Sequence, residues 1–249
     1  MTKYILSMNT KGGTGKSMTA VNLANMLSKK YKVGIADCDI DSSNIPDMLG
    51  IKTRVKLDAN DRNFIPEIWN GIKVMGTGLL YQGIMTMFKT GDENRQIIAD
   101  ILKATNWGDL DYMVIDSPAG SSDELRAITD IVGEENIVGV VLVATPKNVE
   151  DCVRVYNICS MVGLKIIGVI ENMAGVVCKK CWTVAKCPQC GEPIDPFGHN
   201  NGGVGNFAKA YDVRFLGSIP LFNMEKNSVL LPDELNGPIL DAVMLITEG

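Results

Sequence analysis

A glycine-rich segment near the N terminus constrains this chain more than any other feature. Residues 8–17 read MNTKGGTGKS and follow a short apolar run at residues 4–6. The residues that come next carry apolar side chains at helical spacing, namely Ala20, Leu23, Ala24 and Leu27. A strand, a glycine-rich turn and a helix that starts with Lys-Ser are the context in which a phosphate-binding loop is credible.

The chemistry of this segment fits the phosphates of a nucleoside triphosphate. The backbone N–H groups of Gly12, Gly13 and Gly15 can converge on phosphate oxygens because no Cβ blocks the approach. Lys16 is placed to reach the β- and γ-phosphates, and the Ser17 hydroxyl is placed to ligate Mg²⁺. The helix that begins at Ser17 adds the partial positive charge of its N terminus. We therefore predict a nucleotide site here.

Two positions depart from the usual phosphate-binding loop. Thr10 stands where the usual pattern has glycine, and Lys11 is a second lysine that an ordinary loop lacks. A solvated surface lysine is the plain alternative for Lys11. Thr14 and Met18 are also expected to contact the nucleotide.

Composition excludes several classes of protein. The chain has 249 residues, 46% of them hydrophobic, and a formal charge of −5, which argues against a broad nucleic-acid surface. Apolar runs are too short to span a bilayer, and because a predicted strand comes at the very start we expect no cleavable signal. The seven cysteines then indicate reduced thiols or metal ligands. We expect a cytoplasmic protein with neither membrane nor nucleic acid as a partner.

Apolar strand candidates alternate with helical segments along the chain, as a doubly wound parallel sheet requires. The predicted strands lie at residues 32–36, 71–75, 112–115, 137–143, 165–170 and 213–216, and predicted helices at 96–102 and 149–159. The pattern predicts a three-layer α/β fold of the P-loop NTPase kind. We expect one domain over residues 1–249, with a cysteine-bearing excursion at about 173–203.

Acidic residues follow two of the predicted strands. The carboxyl ends of parallel strands line the crevice where ligands bind in such sheets. We assign Asp116 to the Mg²⁺ shell, Asp37 to the same shell as an additional carboxylate, and Asp39 to orienting the attacking water. The plainer alternative for each of these carboxylates is that it caps a helix or turn. For the nearby Asp41, capping is the better interpretation.

The segment Lys-Gly-Gly-Thr-Gly-Lys-Ser resembles the deviant phosphate loop of the MinD, ParA and nitrogenase iron-protein group of ATPases. Residues 37–50, 107–116, 168–173, 197–198 with 202–203, and 215–221 are similar, in order, to the Mrp branch of that group. The resemblance implies a slow ATPase that forms a homodimer across the nucleotide site. It implies that Lys11 reaches the partner's nucleotide and acts in catalysis together with Lys16 and Asp39.

The same resemblance gives expectations for the base and for the cargo. It implies that Asn172 hydrogen-bonds the adenine edge and that Pro220 lines the base pocket, although an Asn that closes a strand is most often a turn residue. Proteins of the Mrp branch are regarded as carriers of iron–sulfur clusters, which they pass to apo-protein acceptors. The branch has one Cys-x-x-Cys motif after the position of Asn172.

This chain has two such motifs, separated by five residues: Cys178, Cys181, Cys187 and Cys190. Four thiolates can complete a tetrahedral or cubane-type shell, and nearby lysines should favour the thiolate forms. The resemblance favours an iron–sulfur cluster of the 4Fe–4S type, possible within or between subunits, whereas a structural zinc ion and a redox disulfide stay open as alternatives. The other cysteines are expected to be buried packing residues.

Three classes of function follow: a cluster-carrying ATPase, a MinD- or ParA-like positioning ATPase, and an ATPase that inserts a metal into a target enzyme. The tail at residues 227–249 has four acidic residues and no Lys or Arg, which argues against a basic membrane-binding helix. Cys178 follows Asn172 by only six residues, so the cysteines should emerge near the nucleotide. Nucleotide-driven closure would then change the distance between the cysteines of two subunits.

Overall fold

The computed structural model describes residues 1–9, 11–40, 42–52, 55–58, 63–80, 91–118, 122–178, 180–196, 203–222 and 229–248. Thr10 and Asp41 lie outside these ranges. The elements in chain order are β1 (Lys3–Met8), α1 (Lys16–Ser28), β2 (Val33–Asp37), α2 (Ile45–Met48), β3 (Lys56–Leu57), β4 (Phe64–Ile65), β5 (Glu67–Trp69), β6 (Ile72–Gly76), α3 (Thr77–Leu80), α4 (Gly91–Leu102), β7 (Tyr112–Asp116), α5 (Ser122–Val132), β8 (Ile137–Ala144), α6 (Val149–Met161), β9 (Ile166–Val176), α7 (Gly203–Ala210), β10 (Phe215–Leu221) and α8 (Gly237–Glu248).

Eight of the strands form one sheet in the order β10-β9-β8-β1-β7-β2-β6-β5. Every neighbouring pair is parallel except β5 and β6, which are antiparallel. Strand β1 sits between β8 and β7, so the loop that follows it emerges at the middle of the sheet. In the register, Asp116 of β7 lies beside both Ser7 of β1 and Asp37 of β2. The sheet thus gathers the predicted phosphate loop and two acidic strand ends at one edge.

Helices cover both faces of this sheet, which confirms the three-layer α/β prediction. Helices α1 and α8 pack together on one face, where the buried side chains include Ala20, Leu23, Leu27, Ile239 and Ile246. Helices α4 to α7 cover the other face, with Ile98, Ile101, Leu125, Ile128, Val155 and Phe207 in its core. Each large apolar side chain buried in this way contributes roughly 1.5–3 kcal/mol to folding. The single-domain organisation stays a prediction.

The strand predictions found the right segments but not all of their ends. Strand β9 continues to Val176, six residues beyond its predicted end, and β10 runs from Phe215 to Leu221 instead of residues 213–216. Pro220 is tolerated inside β10 because this strand lies at the sheet edge, where a missing N–H breaks no central ladder bond. Strands β3 to β5 and helices α2, α3, α5, α7 and α8 were not predicted, although Leu125 and Ile128 of α5 have helical spacing.

No helix among the described residues is both long and apolar enough to cross a membrane.

Candidate functional site

The loop between β1 and α1 has the backbone geometry that only glycine accepts easily. Gly13 and Gly15 have φ values of 77° and 94°, in the range that side chains with a Cβ disfavour. A Cβ on Gly15 would lie 2.1 Å from the side-chain nitrogen of Asn172. Gly15 is therefore required both by its own φ and by the close approach of β9.

The N terminus of α1 is left open for an anion. Its N-cap residue is Gly15, which offers no side-chain oxygen, and the first turn holds no acidic residue. The first N–H groups of a helix have no partners within the helix and carry a partial positive charge. Lys16, the first residue of the helix, adds a buried ammonium group at the same place. This arrangement favours phosphate.

A cavity of about 500 Å³ opens in front of this helix. Seven of the predicted nucleotide or catalytic residues line it: Gly12, Gly13, Gly15, Lys16, Ser17, Met18 and Asp39. Residues that the sequence analysis missed complete the wall: Ile40, Ser42, Asn44, Asp47, Met48, Pro118, Glu124 and Met173. Three of them belong to the loop after β2 and two to helix α2, whose positions depend on tertiary packing.

Lys16 forms a buried ion pair in this cavity. Its Nζ lies 3.5 Å from Oδ2 of Asp39, and the two side chains are only 5% and 9% exposed. The other carboxylate oxygen of Asp39 accepts a hydrogen bond from the N–H of Ser42 at 3.1 Å. The loop after β2 therefore presents a carboxylate directly to the lysine of the phosphate loop.

Asp37 holds the start of that loop together. One carboxylate oxygen accepts bonds from the Ser43 hydroxyl (2.8 Å) and the Ile45 N–H (3.0 Å), and the other accepts from the N–H of Asp39 (3.2 Å). Burial raises the pKa of Asp37 to about 6, and these hydrogen bonds limit the rise. Asp37 is thus a fully bonded capping group here, and its predicted role as a ligand of Mg²⁺ stays a prediction.

Asp116 is in the opposite situation. Its side chain is fully buried, and neither carboxylate oxygen has a regular hydrogen-bond partner within the described part of the chain. Burial and the nearby charge of Asp37 raise its pKa to about 8, while Lys16 and the hydroxyl of Ser17 lower it. Buried oxygen atoms without partners are costly, so they fit a cation or its water shell. Asp116 and Ser17 are the residues that would hold Mg²⁺.

Lys11 is exposed at the rim of the loop. Its backbone N–H donates to Oδ1 of Asn9 at 3.1 Å, and its Nζ donates to Oδ1 of Asn148 at 3.4 Å. Asn9 is buried and also donates its side-chain amide to the carbonyl of Val143, so it fixes the loop to β8. The contact of Lys11 with a partner's nucleotide stays a prediction.

Asn172 connects β9 to the phosphate loop. Its side-chain amide donates to the carbonyl oxygen of Thr14 at 2.8 Å. It lies inside β9, so the interpretation of Asn172 as a turn residue that closes the strand is wrong. The next residue, Met173, has a φ of 60° and lines the cavity. The adenine contacts assigned to Asn172 and Pro220 stay predictions, and neither residue is among those that line the cavity.

The first Cys-x-x-Cys motif occupies the turn of a tight hairpin. The N–H of Cys178 donates to the carbonyl of Thr183 at 2.9 Å, and the N–H of Trp182 donates to the carbonyl of Cys178 at 2.7 Å. Trp182 has a φ of 54°, and its ring meets that of Phe222 edge-on with 5.6 Å between centroids. The hairpin is thereby packed against the end of β10.

The second motif repeats this pattern in the next hairpin. The N–H of Cys187 donates to the carbonyl of Glu192 at 2.8 Å, and the N–H of Gly191 donates to the carbonyl of Cys187 at 2.9 Å. Gly191, with a φ of 75°, takes the place that Trp182 has in the first hairpin. The two motifs are therefore built as two copies of one backbone turn.

The thiols in these turns are accessible, and hydrogen bonds lower the pKa of two of them. Cys178, Cys181 and Cys190 are exposed, and Cys187 is half-buried. The Thr183 hydroxyl lowers the pKa of Cys181, and backbone N–H groups, first that of Cys190, lower the pKa of Cys187. Among the described residues the causes of both shifts are hydrogen bonds to sulfur and not lysines, and Lys179 lies outside the described residues.

The four cysteines are not gathered at one point. Across the described residues, no group of three or more Cys, His, Asp or Glu side chains is arranged to hold a single metal ion. The expectation that Cys38, Cys152 and Cys159 are buried packing residues is confirmed. Burial raises the pKa of all three thiols, in keeping with inert packing roles.

With this geometry in view, the comparison with known proteins is decisive for the family. The family model of ParA, described as NUBPL iron-transfer P-loop NTPase, matches residues 1–229. The chain belongs to this family. The predicted resemblance is thereby confirmed, and the phosphate loop between β1 and α1 is the P-loop of the family.

Two curated relatives illustrate the similarity. A protein of Methanococcus maripaludis named iron-sulfur cluster carrier protein is 39% identical over 225 residues, which cover 88% of this chain and 73% of that protein. A protein of Bos taurus named cytosolic Fe-S cluster assembly factor NUBP2 is 34% identical over 224 residues, or 87% of this chain and 78% of its own length.

Solved structures agree in fold. A nucleotide-binding protein of Archaeoglobus fulgidus in complex with ADP is 27% identical and has a TM-score of 0.67, covering 97% of this chain and 87% of that one. The cell division ATPase MinD of Pyrococcus furiosus has a TM-score of 0.66 at 18% identity, covering 100% and 99%. The second similarity concerns the fold alone.

Proposed function

We propose that this protein is an ATP-dependent carrier or assembly factor for iron–sulfur clusters. The observation that carries the proposal is the continuity of β9 with both sites. Asn172 bonds the P-loop, Met173 lines the nucleotide cavity, and Cys178 follows five residues later in the first hairpin. A change at the nucleotide therefore has a short covalent and hydrogen-bonded route to the cysteines.

The cargo is an iron–sulfur cluster held by cysteine thiolates. Accessible thiols, of which Cys181 and Cys187 have lowered pKa values, can accept and release a soft metal centre, whereas a structural zinc ion needs a closed shell of four ligands. The names of the relatives from Methanococcus maripaludis and Bos taurus favour the same cargo. A cluster of the 4Fe–4S type and delivery to apo-protein acceptors are the finer parts of this proposal.

The nucleotide half of the proposal is a slow ATPase in the cytoplasm. Lys16 and the open N terminus of α1 bind phosphate, Asp39 orients water, and Asp116 with Ser17 holds Mg²⁺, which supplies charge neutralisation to the phosphates when bound. Lys11 is exposed on the P-loop and donates to Asn148, where the nucleotide of a second copy of the chain can reach it. A homodimer across the nucleotide site is part of this proposal, and the exposure of Lys11 supports it.

The test is cluster loading and transfer under anaerobic conditions. Reduced protein treated with iron and sulfide should develop broad visible charge-transfer absorption, and should pass the cluster to an apo-ferredoxin at a rate that depends on ATP. A variant with all four hairpin cysteines changed to Ser should stay colourless. A matched variant with Cys152 and Cys159 changed to Ala should load normally, because these buried thiols take no part.

A colourless protein that holds one zinc ion per chain, unaffected by ATP, would contradict the carrier proposal and favour an ATPase with a structural metal site. The metal-insertion function would be favoured if metal analysis of anaerobically purified protein found nickel without sulfide.

A further inference from the structure

The two Cys-x-x-Cys hairpins share one chain segment, which affects how many thiolate sites each chain can offer. We propose that each chain presents two independent dithiol half-sites, one in each hairpin, instead of a single four-thiolate site. Each half-site is completed by thiolate ligands from outside the chain. This inference rests on the proposed function and specifies how its cargo is held.

The segment at residues 183–187 is paired on both sides. Val184 pairs with Val177 in the first hairpin, and Lys186 pairs with Pro193 in the second, both antiparallel. The turn with Cys178 and Cys181 therefore precedes this segment, and the turn with Cys187 follows it. Turns of consecutive antiparallel hairpins lie at opposite ends of the strand that they share.

The length of the shared segment sets the separation of the two pairs. Cys178 is bonded to Thr183, whereas Cys187 is four residues further along. Four residues of extended chain span up to roughly 13 Å. In a tetrahedral zinc site, four sulfur atoms lie about 2.3 Å from one ion, and among the described residues no three of these cysteines are placed to hold one ion together.

A ring of three backbone hydrogen bonds holds the hairpins in this relation. The N–H of Ala185 donates to Val176 (2.8 Å), the N–H of Ile194 donates to Ala185 (2.8 Å), and the N–H of Val176 donates to Ile194 (3.2 Å). The N–H of Val177 also donates to Leu221 of β10 at 3.4 Å. Bringing the two pairs together would break part of this ring.

Within each pair, by contrast, the two thiols are neighbours. Cys178 and Cys181 interact through a side-chain hydrogen bond, and so do Cys187 and Cys190. Each pair therefore offers two sulfur ligands to one metal centre and leaves the remaining positions open. The exposure of three of the four cysteines leaves room for thiolates of a second copy of this chain or of a small thiol.

Cadmium is a suitable probe, because its thiolate complexes absorb in the ultraviolet without any need for sulfide. Reduced protein is titrated with Cd²⁺ alone in four forms: wild type, Cys178→Ser with Cys181→Ser, Cys187→Ser with Cys190→Ser, and all four changes together. We expect each double variant to keep about half of the wild-type absorbance and the fourfold variant to lose it. Equal ATP binding by all forms checks that the fold is intact.

Loss of nearly all absorbance in either double variant would overturn the inference, since it would mean that the four thiolates form one site. Unchanged absorbance in one double variant would overturn it as well, because only one pair would then bind. Repeating the titration with and without glutathione, and measuring mass in solution, distinguishes a small thiol from a second copy as the source of outside ligands.

Parallel loading with iron and sulfide separates this inference from the proposed function. If the wild type takes up no cluster while the cadmium signal divides between the pairs, the carrier function fails and the half-sites stand. If clusters load but only one cysteine pair supports both the cluster absorption and the cadmium absorption, the carrier function stands and the half-site inference fails.

Discussion

Lys16 and Asp39 form an ion pair 3.5 Å long inside the nucleotide cavity, although 22 residues separate them in the sequence. Both side chains are almost completely buried, so each depends on the other to offset the loss of hydration. A phosphate bound to the P-loop offers Lys16 a second anionic partner. Binding of ATP should therefore loosen the hold of Asp39 on Lys16 and free that carboxylate for water.

This relationship predicts the behaviour of Asp39→Asn. The amide oxygen can still accept the bond from Ser42, but the charge that competes with phosphate for Lys16 is gone. We expect ATP affinity to be equal or higher, and hydrolysis to fall by about 100-fold, a typical loss for a group that handles the proton of the attacking water. Equilibrium binding of a fluorescent ATP analogue and single-turnover phosphate release measure the two. Unchanged turnover would remove the assigned role.

Substitution of each of the two lysines of the loop should affect ATP binding and turnover differently. Lys16→Ala removes the buried ammonium beside the phosphates, and ATP affinity should fall at least tenfold, as for loss of a hydrogen bond between charged groups. Lys11→Ala changes an exposed side chain at the rim, so ATP binding should persist while turnover drops. Calorimetric titration and phosphate release distinguish them. Equal loss of ATP binding in both variants would contradict the role of Lys11 in a partner's site.

Asp116 should give the metal-free protein a characteristic pH dependence. Its pKa in the folded chain is raised to about 8, whereas an unfolded Asp has a pKa near 3.9. The folded state thus binds more protons between these values, so the free energy of unfolding falls as pH rises from about 4 to about 8. Asp116→Asn removes this pH dependence. The free energy of unfolding of the variant minus that of the wild type should therefore grow by at least about 1 kcal/mol between pH 5 and pH 8.

Urea unfolding at several pH values, without nucleotide or Mg²⁺, measures this difference in the free energy of unfolding. The matched control is Asp109→Asn at an exposed position, which should leave the pH profile of wild type unchanged. The same Asp116→Asn variant should lose the Mg²⁺ dependence of ATP binding. A pH-independent difference between variant and wild type would count against a protonated Asp116.

Substitutions of two P-loop glycines, Gly15 and Gly12, should differ in their effect on the free energy of unfolding. Gly15→Ala places a Cβ 2.1 Å from the side-chain nitrogen of Asn172 at a φ of 94°, and should lower the unfolding free energy by more than about 1 kcal/mol. Gly12→Ala meets nothing within 4 Å and should be nearly neutral. Thermal unfolding of the nucleotide-free variants measures the difference. Equal melting temperatures would show that the Asn172 contact does not restrain the loop.

Local sequence was enough to predict the P-loop and the sheet around it. The spacing of glycines, lysine and serine defines a loop whose backbone has few alternatives. Apolar strand segments that alternate with helical segments are typical of a parallel sheet covered by helices on both faces. The positions of Asp37 and Asp116 followed from the same logic, because both end strands that lie next to each other. Their different roles did not follow, since hydrogen bonds saturate the carboxylate of Asp37, whereas that of Asp116 has no regular partner among the described residues.

Tertiary structure decided the contacts between segments that are distant in the chain. The pairing of Lys16 with Asp39 and the bond from Asn172 to Thr14 depend on where the loop after β2 and strand β9 come to rest. Four cysteines within 13 residues predicted one metal site, yet the antiparallel register of two hairpins keeps the pairs apart. Sequence determined which ligands and phosphate-binding groups are present, whereas the hydrogen-bonded register of strands, a property of the folded chain only, determined which of them can meet.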